Sequence, residues 1–224
     1  MSEPFKRAMN DISETLCSVY NCDKAVIIPG SGTYAMEACA RQFAGGKDVL
    51  VLRNGYFSYR WTQIFEQCNI PKSHKVLKAR ATSEYSGPGD QLQFAPCPLD
   101  EVVDTILREK PAAVFAPHVE TSTGMLLPDY YIKTVSDAVH SYGGIFVLDC
   151  IASGTVWVDM EQNGVDALIS APQKGWTGPS CAGLVMLSER GVAATKARQG
   201  DSFCCDIGKW LELMESYEAG GAPR

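Results

Sequence analysis

Five short segments hold residue types that chemistry uses. Gly30-Ser31-Gly32-Thr33 lies between an apolar run and a helical pattern. Its glycines let the backbone approach an anion, its hydroxyls add donors, and a helix N-terminus supplies free N–H groups and a positive dipole, so it suits a phosphate. A capped tight turn is the structural alternative. The rival ligand is a dinucleotide, because residues 30–35 match G-x-G-x-x-A. That fingerprint wants an acid at the end of the next strand, where Arg53 and Asn54 stand, which leaves an NADP-type site open and weakens an NAD-type one. Asp149 ends the apolar run IFVLD, and a carboxylate there must meet a cation, a donor or water. It is either a turn cap or the partner of a cationic ring nitrogen. Lys174 sits among Pro172, Gln173, Gly175, Trp176 and Gly178 after the apolar run VDALIS. It is a solvated surface charge or, desolvated in a shaped pocket, a nucleophile. Phe57 follows Asn54-Gly55-Tyr56 as a core ring or a ligand platform, and His118, Glu120 and Thr121 form a polar cluster that caps and loop bonds also explain.

The elements that must position these residues are legible as alternating patterns. Phe5, Met9, Ile12, Leu16 and Val19 recur at helical spacing over Pro4 to Tyr20. Strands are expected at Lys24 to Pro29, Asp48 to Arg53, His74 to Ala79, Ala112 to Pro117, Ile145 to Asp149, Val165 to Ser170 and Ala182 to Leu187. Helices are expected at about Tyr34 to Ala44, Phe57 to Gln67, Leu99 to Glu109 and Tyr130 to Tyr142, with a Ser/Gly/Pro-rich loop from Arg80 to Cys97. Near-continuous apolar strands alternating with helices predict an α/β fold whose mostly parallel sheet is covered on both faces. Ligands of such sheets bind at the carboxyl ends of strands. All five segments fall there. A phosphate cradle, a carboxylate, a lysine and an aromatic ring at one edge are what pyridoxal phosphate requires.

Bulk properties bound the alternatives. The 224 residues are 46% hydrophobic and 21% charged, as in globular chains, and no apolar run approaches the ~18 residues of a membrane span. The net charge of −6, without like-charge blocks, argues against nucleic-acid and anionic-membrane partners. The N-terminus lacks the apolar region of a secretory signal, so a cytoplasmic protein is expected. Nine cysteines without a C-x-x-C, and three histidines, point to neither a disulfide framework nor a metal site. They read mostly as small core residues in a reducing compartment.

Taken in order, GSGTYAMEA, LRNGYFSYRW, HVETSTGMLLP, GGIFVLDCIAS and VDALISAPQKGWTGPSCAGLVML resemble the large domain of a class V aminotransferase, of the fold-type I pyridoxal-phosphate enzymes, over roughly residues 20–190. The likeness is greatest to the alanine–glyoxylate and serine–pyruvate branch. It implies that Lys174 carries pyridoxal 5'-phosphate as a Schiff base and that Asp149 binds the pyridine nitrogen. Ser31, Gly32, Thr33 and Gln173 would contact the phosphate, Phe57 would stack on the ring where relatives often carry Trp or His, and Ile151 would pack on its other face. Thr121 would reach the phenolic oxygen. The implied reaction moves an amino group between a small amino acid and a 2-oxo acid such as glyoxylate or pyruvate, in a homodimer. The implied organisation is an N-terminal helix over residues 1–20, a cofactor domain over 21–200, and over 201–224 the start of a linker helix toward a C-terminal small domain that carries a substrate-binding arginine in the family. The alternatives are a lyase or desulfurase with the same cofactor, an NADP-binding oxidoreductase, and a truncated non-catalytic module.

Overall fold

Alternation within the strands decides which side chains meet which helices. The computed structural model describes residues 2–84, 87–89 and 91–221. In chain order its elements are α1 (Glu3–Tyr20), β1 (Lys24–Pro29), α2 (Gly32–Cys39) running into a π-turn (Ala40–Ala44), β2 (Asp48–Arg53), α3 (Tyr59–Cys68) and β3 (Ser73–Lys78). Then come β4 (Arg80–Ala81), β5 (Phe94–Ala95), α4 (Leu99–Glu109), β6 (Ala113–Pro117), β7 (Val119–Glu120), β8 (Met125–Leu126), α5 (Asp129–His140) and β9 (Ile145–Asp149). The chain closes with α6 (Met160–Asn163), β10 (Ala167–Ser170), β11 (Ala182–Leu187), α7 (Glu189–Lys196) and α8 (Ile207–Glu218).

Seven strands form one sheet in the order β1-β11-β10-β9-β6-β2-β3. The pairs β10–β9, β9–β6, β6–β2 and β2–β3 are parallel, whereas β11 runs antiparallel to both β1 and β10. Leu50, Val114, Phe146, Leu148 and Leu168 point to one face, against Leu16 of α1, Val102 and Ile106 of α4 and Ile132 of α5. Val49, Val51, Phe115, Val147 and Ile169 point to the other, against Met36 of α2, Trp61 and Phe65 of α3 and Leu211 of α8. Two apolar layers therefore sandwich the sheet, as the continuous apolar strands require.

The topology corrects the dinucleotide reading. A Rossmann site needs β1 beside a parallel neighbour, but β1 is an edge strand paired antiparallel, with four strands between it and β2. A second correction concerns the thiols. Cys39, Cys97, Cys150 and Cys205 are buried, whereas Cys17, Cys22 and Cys68 are half-buried and Cys181 and Cys204 exposed. The exposed ones lie on loops, where no layer covers them. The helix expected from Tyr34 starts two residues earlier at Gly32, and α7, over a stretch with no strong apolar period, was not expected. Helix α8 lies against α1 and β1: Asn10 Nδ2 donates to the Tyr217 carbonyl at 3.3 Å, Ser13 Oγ donates to Glu218 at 3.1 Å, and Lys24 pairs with Glu218. No helix among the described residues is long and apolar enough to cross a membrane.

Candidate active site

Gly32 is the joint at which three strand ends converge. It opens α2 just after β1, and a Cβ added there would lie 2.6 Å from Ile151 Cδ1 and 3.3 Å from Ala171 Cβ. Glycine lets the turn after β1 close on the segments that follow β9 and β10 without displacing the Ile151 side chain. Gly30 takes φ +137°, and Ser31, extended at φ −154°, uses no side-chain cap bond. The Ser31 carbonyl accepts from Tyr34 and Ala35, so the N–H groups of residues 31–33 precede the helical ladder. Thr33 Oγ1 accepts from Arg60 Nη1 at 3.2 Å.

Asp149 ends β9, 8% exposed, with its Oδ1 accepting the Ile151 N–H at 2.9 Å. Burial pushes its carboxyl up to about 6, against the Ile151 bond and the Arg60 charge, which pull it down. It has no ion pair among the described residues. The turn-cap role is therefore real, yet it leaves a buried carboxylate without a cation.

Lys174 is exposed in the turn after β10. Its N–H donates to the Ala171 carbonyl at 3.3 Å and its carbonyl accepts from Thr177, which holds φ +55°. A Cβ on Gly175 would meet the Gly154 carbonyl oxygen at 2.0 Å, so this turn lies flat on the segment after β9. Trp157 and Trp176 brace it with ring centroids 4.9 Å apart, and Tyr20 meets Trp157 edge-on at 5.7 Å. Gln173 Oε1 and Trp176 Nε1 are buried without a hydrogen-bond partner.

Phe57 is 39% exposed and lies under Arg60, whose guanidinium is 5.8 Å from the ring centroid. Its loop is held from below by Glu120. That fully buried carboxylate accepts from Phe57 N at 3.1 Å, Ser58 N at 2.8 Å, Ser58 Oγ at 2.7 Å, Ser122 N at 3.3 Å and Ser122 Oγ at 2.7 Å. Burial works to raise the Glu120 carboxyl, and the Ser58, Ser122 and Phe57 donors outweigh it and hold it low. Tyr56 N donates to Ser122 Oγ and Thr123 Oγ1 donates to the Asn54 carbonyl, completing the zipper between the β2–α3 loop and the β7–β8 hairpin. Thr121 is exposed at that hairpin's turn. His118 is buried, with Nδ1 2.7 Å from Ser153 Oγ, and burial lowers its basicity.

The nine expected site residues thus all lie at the carboxyl-end rim of the sheet, at or just after the ends of β1, β2, β7, β9 and β10. Residue-type reasoning left out Arg60, which ties Thr33 to Phe57; its position three after Phe57, one helical turn on, is the signal that was there. A cleft of about 570 Å³ at the opposite end, lined by His140, Asp166 and Arg190 among others, serves no such grouping. There the buried Asp166 is already satisfied by His140, Arg190 and the Phe146 N–H.

The residues fit a pyridoxal phosphate. An unpaired buried carboxylate suits its cationic ring nitrogen, free helix-end N–H groups suit its phosphate, and the orphaned Gln173 amide oxygen marks a polar group at the same rim. A family model described as Aminotransferase class-V matches residues 1–223. The chain is 27% identical to alanine–glyoxylate aminotransferase of Oryctolagus cuniculus, over all of this chain and 54% of that protein. It is 28% identical to serine–glyoxylate aminotransferase of Hyphomicrobium methylovorum, over 89% of this chain and 47% of that one. The structure of a ureidoglycine–glyoxylate aminotransferase from Bacillus subtilis superimposes with a TM-score of 0.79 at 24% identity, covering 95% of this chain and 52% of that one, a likeness of fold. The chain spans about half the length of the curated relatives it matches.

Proposed function

The chain belongs to the class-V aminotransferase family, whose members use pyridoxal phosphate, and from that premise we propose that it moves an amino group between a small amino acid and a 2-oxo acid such as glyoxylate or pyruvate. The substrate class is taken from relatives named for alanine, serine and glyoxylate. The observation that carries the reading is Asp149, a buried carboxylate with no ion pair among the described residues, at the rim that also holds Lys174 and the Gly30–Thr33 turn.

In this reading the N–H groups and hydroxyls of Ser31, Gly32 and Thr33, with the Gln173 amide, hold the phosphate. Phe57 and Ile151 would take the two faces of the ring, and Thr121 would donate to its phenolic oxygen. Asp149 would hold a proton on the ring nitrogen, staying ionised beside that cation although burial raises its carboxyl to about 6. The bound cofactor supplies an electron sink for the pair left when a proton leaves the amino acid's Cα. Lys174 Nζ would anchor the cofactor and, once free, would take the proton from the Cα of the amino acid. Arg60, above Phe57 and bonded to Thr33, keeps the aromatic platform and the phosphate turn in register. We further propose that the protein works as a homodimer, on the strength of the family resemblance, and in a reducing compartment, in keeping with nine unpaired thiols.

The experiment is amino transfer itself. The protein loaded with pyridoxal phosphate is mixed with alanine or serine and glyoxylate, and glycine is quantified beside the expected oxo acid. Equimolar glycine and oxo acid support the proposal. Ammonia in place of glycine would indicate lyase chemistry and overturn it.

A further inference from the structure

Away from the sheet rim, at the C-terminal end of α1, two cysteines stand five residues apart in C-S-V-Y-N-C. The helix ends there in a left-handed cap: Asn21 takes φ 52°, and the Cys22 N–H donates back to the Cys17 carbonyl at 3.1 Å. A six-residue closure of this kind brings the side chains at its two ends together, usually as an apolar contact. Here both ends are cysteines. The Cys22 thiol donates to the Cys17 sulfur at 3.3 Å, both thiols are free, and both residues are half-buried, Cys22 on the wall of the open cleft that His140 and Asp166 line.

We propose that Cys17 and Cys22 form a redox-active dithiol, a modification site at which a hydroperoxide converts the pair into a disulfide that staples the end of α1. The two sulfurs differ in role. The hydrogen bond from Cys22 is the main influence favouring the Cys17 thiolate; burial and Glu218 oppose it, Lys24 adds to it, and Cys17 ends below the ordinary thiol value. The same bond, with burial, raises Cys22, which keeps its proton. The Cys17 thiolate attacks one peroxide oxygen, the O–O bond breaks, and an alcohol or water leaves with a proton from solvent, giving a sulfenic acid at Cys17. Cys22 sulfur then attacks Cys17 sulfur, and its own proton leaves with the hydroxide as water. Two thiols and one hydroperoxide thus give one disulfide, one water and one alcohol, or a second water when the oxidant is hydrogen peroxide. The two sulfurs lose the two electrons that the O–O bond gains. Cys39 and Cys150, which burial pushes far up, do not compete as nucleophiles.

Both thiols lie in one tryptic peptide, residues 8–24, because no Lys or Arg falls between Arg7 and Lys24. The purified protein is treated with a small excess of hydrogen peroxide at neutral pH, alkylated and digested. The expected product is peptide 8–24 lighter by about 2 Da and closed to alkylation at both cysteines, restored by dithiothreitol. Cys22→Ser should stop at a dimedone-trappable sulfenic acid on residue 17, and Cys17→Ser should leave Cys22 alkylatable throughout. The wild-type digest does not depend on either variant folding. A disulfide that joins any other pair, or Cys17 carried to sulfinic acid while Cys22 stays alkylatable, overturns the proposal, as does a peptide 8–24 unchanged by peroxide.

Discussion

At Asp149 stability and function oppose each other. Its carboxyl moves from an ordinary 3.8 to about 6 on burial, so the free folded chain holds an extra proton between those values. The group's favourable contribution is complete below about pH 4 and is lost as the pH rises through about 6. Asp149→Asn removes a charge that is costly at pH 7, and one pKa unit is worth about 1.4 kcal/mol. The cofactor-free variant should therefore be stabilised by up to about 3 kcal/mol at pH 7 and hardly at all near pH 4, read by urea unfolding at both values. An equal effect at both would show that the charge is not what burial penalises. The same variant should still take up pyridoxal phosphate, more weakly, while Cα deuterium exchange of alanine in heavy water falls about a hundred-fold, because a neutral amide holds the ring-nitrogen proton poorly. Asp149 could be singled out because a carboxylate closing an apolar strand must cap a turn or meet a cation, and the structure shows the cap on Ile151 N–H without an ion pair among the described residues. Glu120 could be named as part of a polar cluster open to loop bonds, but its partners could not: five donors gather on it from positions 57, 58 and 122, and the residues that supply the first two lie more than sixty positions away.

Among the elements, the β7–β8 hairpin and the turn after β10 do the positioning. Glu120→Gln replaces an acceptor of five bonds with an amide that cannot accept them all, leaving buried donors unpaired at about 1–3 kcal/mol each. It should lower the thermal midpoint and weaken cofactor binding together, because Phe57 N–H is one of its donors; a variant with native stability and affinity would relieve Glu120 of that role. Gly175→Ala tests the other element. Its Cβ would meet the Gly154 carbonyl at 2.0 Å, so the Lys174 turn must lift, at a cost of about 1–3 kcal/mol. Cofactor affinity, measured by fluorescence titration, should drop about tenfold or more, and an unchanged affinity would mean that the turn's height is irrelevant. Strands and helices with unbroken period were legible to the residue: β2, β9, β11 and α4 begin and end where the sequence places them. The two-residue strands that flank T-S-T-G carry no period, and the π-turn at residues 40–44 depends on which carbonyl each N–H selects, which composition does not record. The helix α2 begins at Gly32 because Gly32 and Thr33 already bend into its first turn, where the sequence shows only a glycine-rich loop.

For the whole molecule, the sequence carries the α/β class and the rim on which the site residues lie, but not the strand order. Alternating patterns cannot say that β1 sits beside β11 rather than β2, and that pairing separates this sheet from a dinucleotide fold. It also makes Gly32 the meeting point of segments 31, 151 and 171. The proposed dimer is open to sedimentation: a mass near twice 24.3 kDa is expected, and a monomer with full cofactor occupancy would contradict it. The central claim is that this rim binds pyridoxal phosphate through Lys174. The most direct measurement is to add pyridoxal phosphate, reduce with borohydride, and map the labelled lysine by peptide mass spectrometry. The account predicts a single label on Lys174, absent from Lys174→Ala, whose circular dichroism should match the unsubstituted chain. A label on another lysine, or visible absorbance that survives in Lys174→Ala, would contradict it.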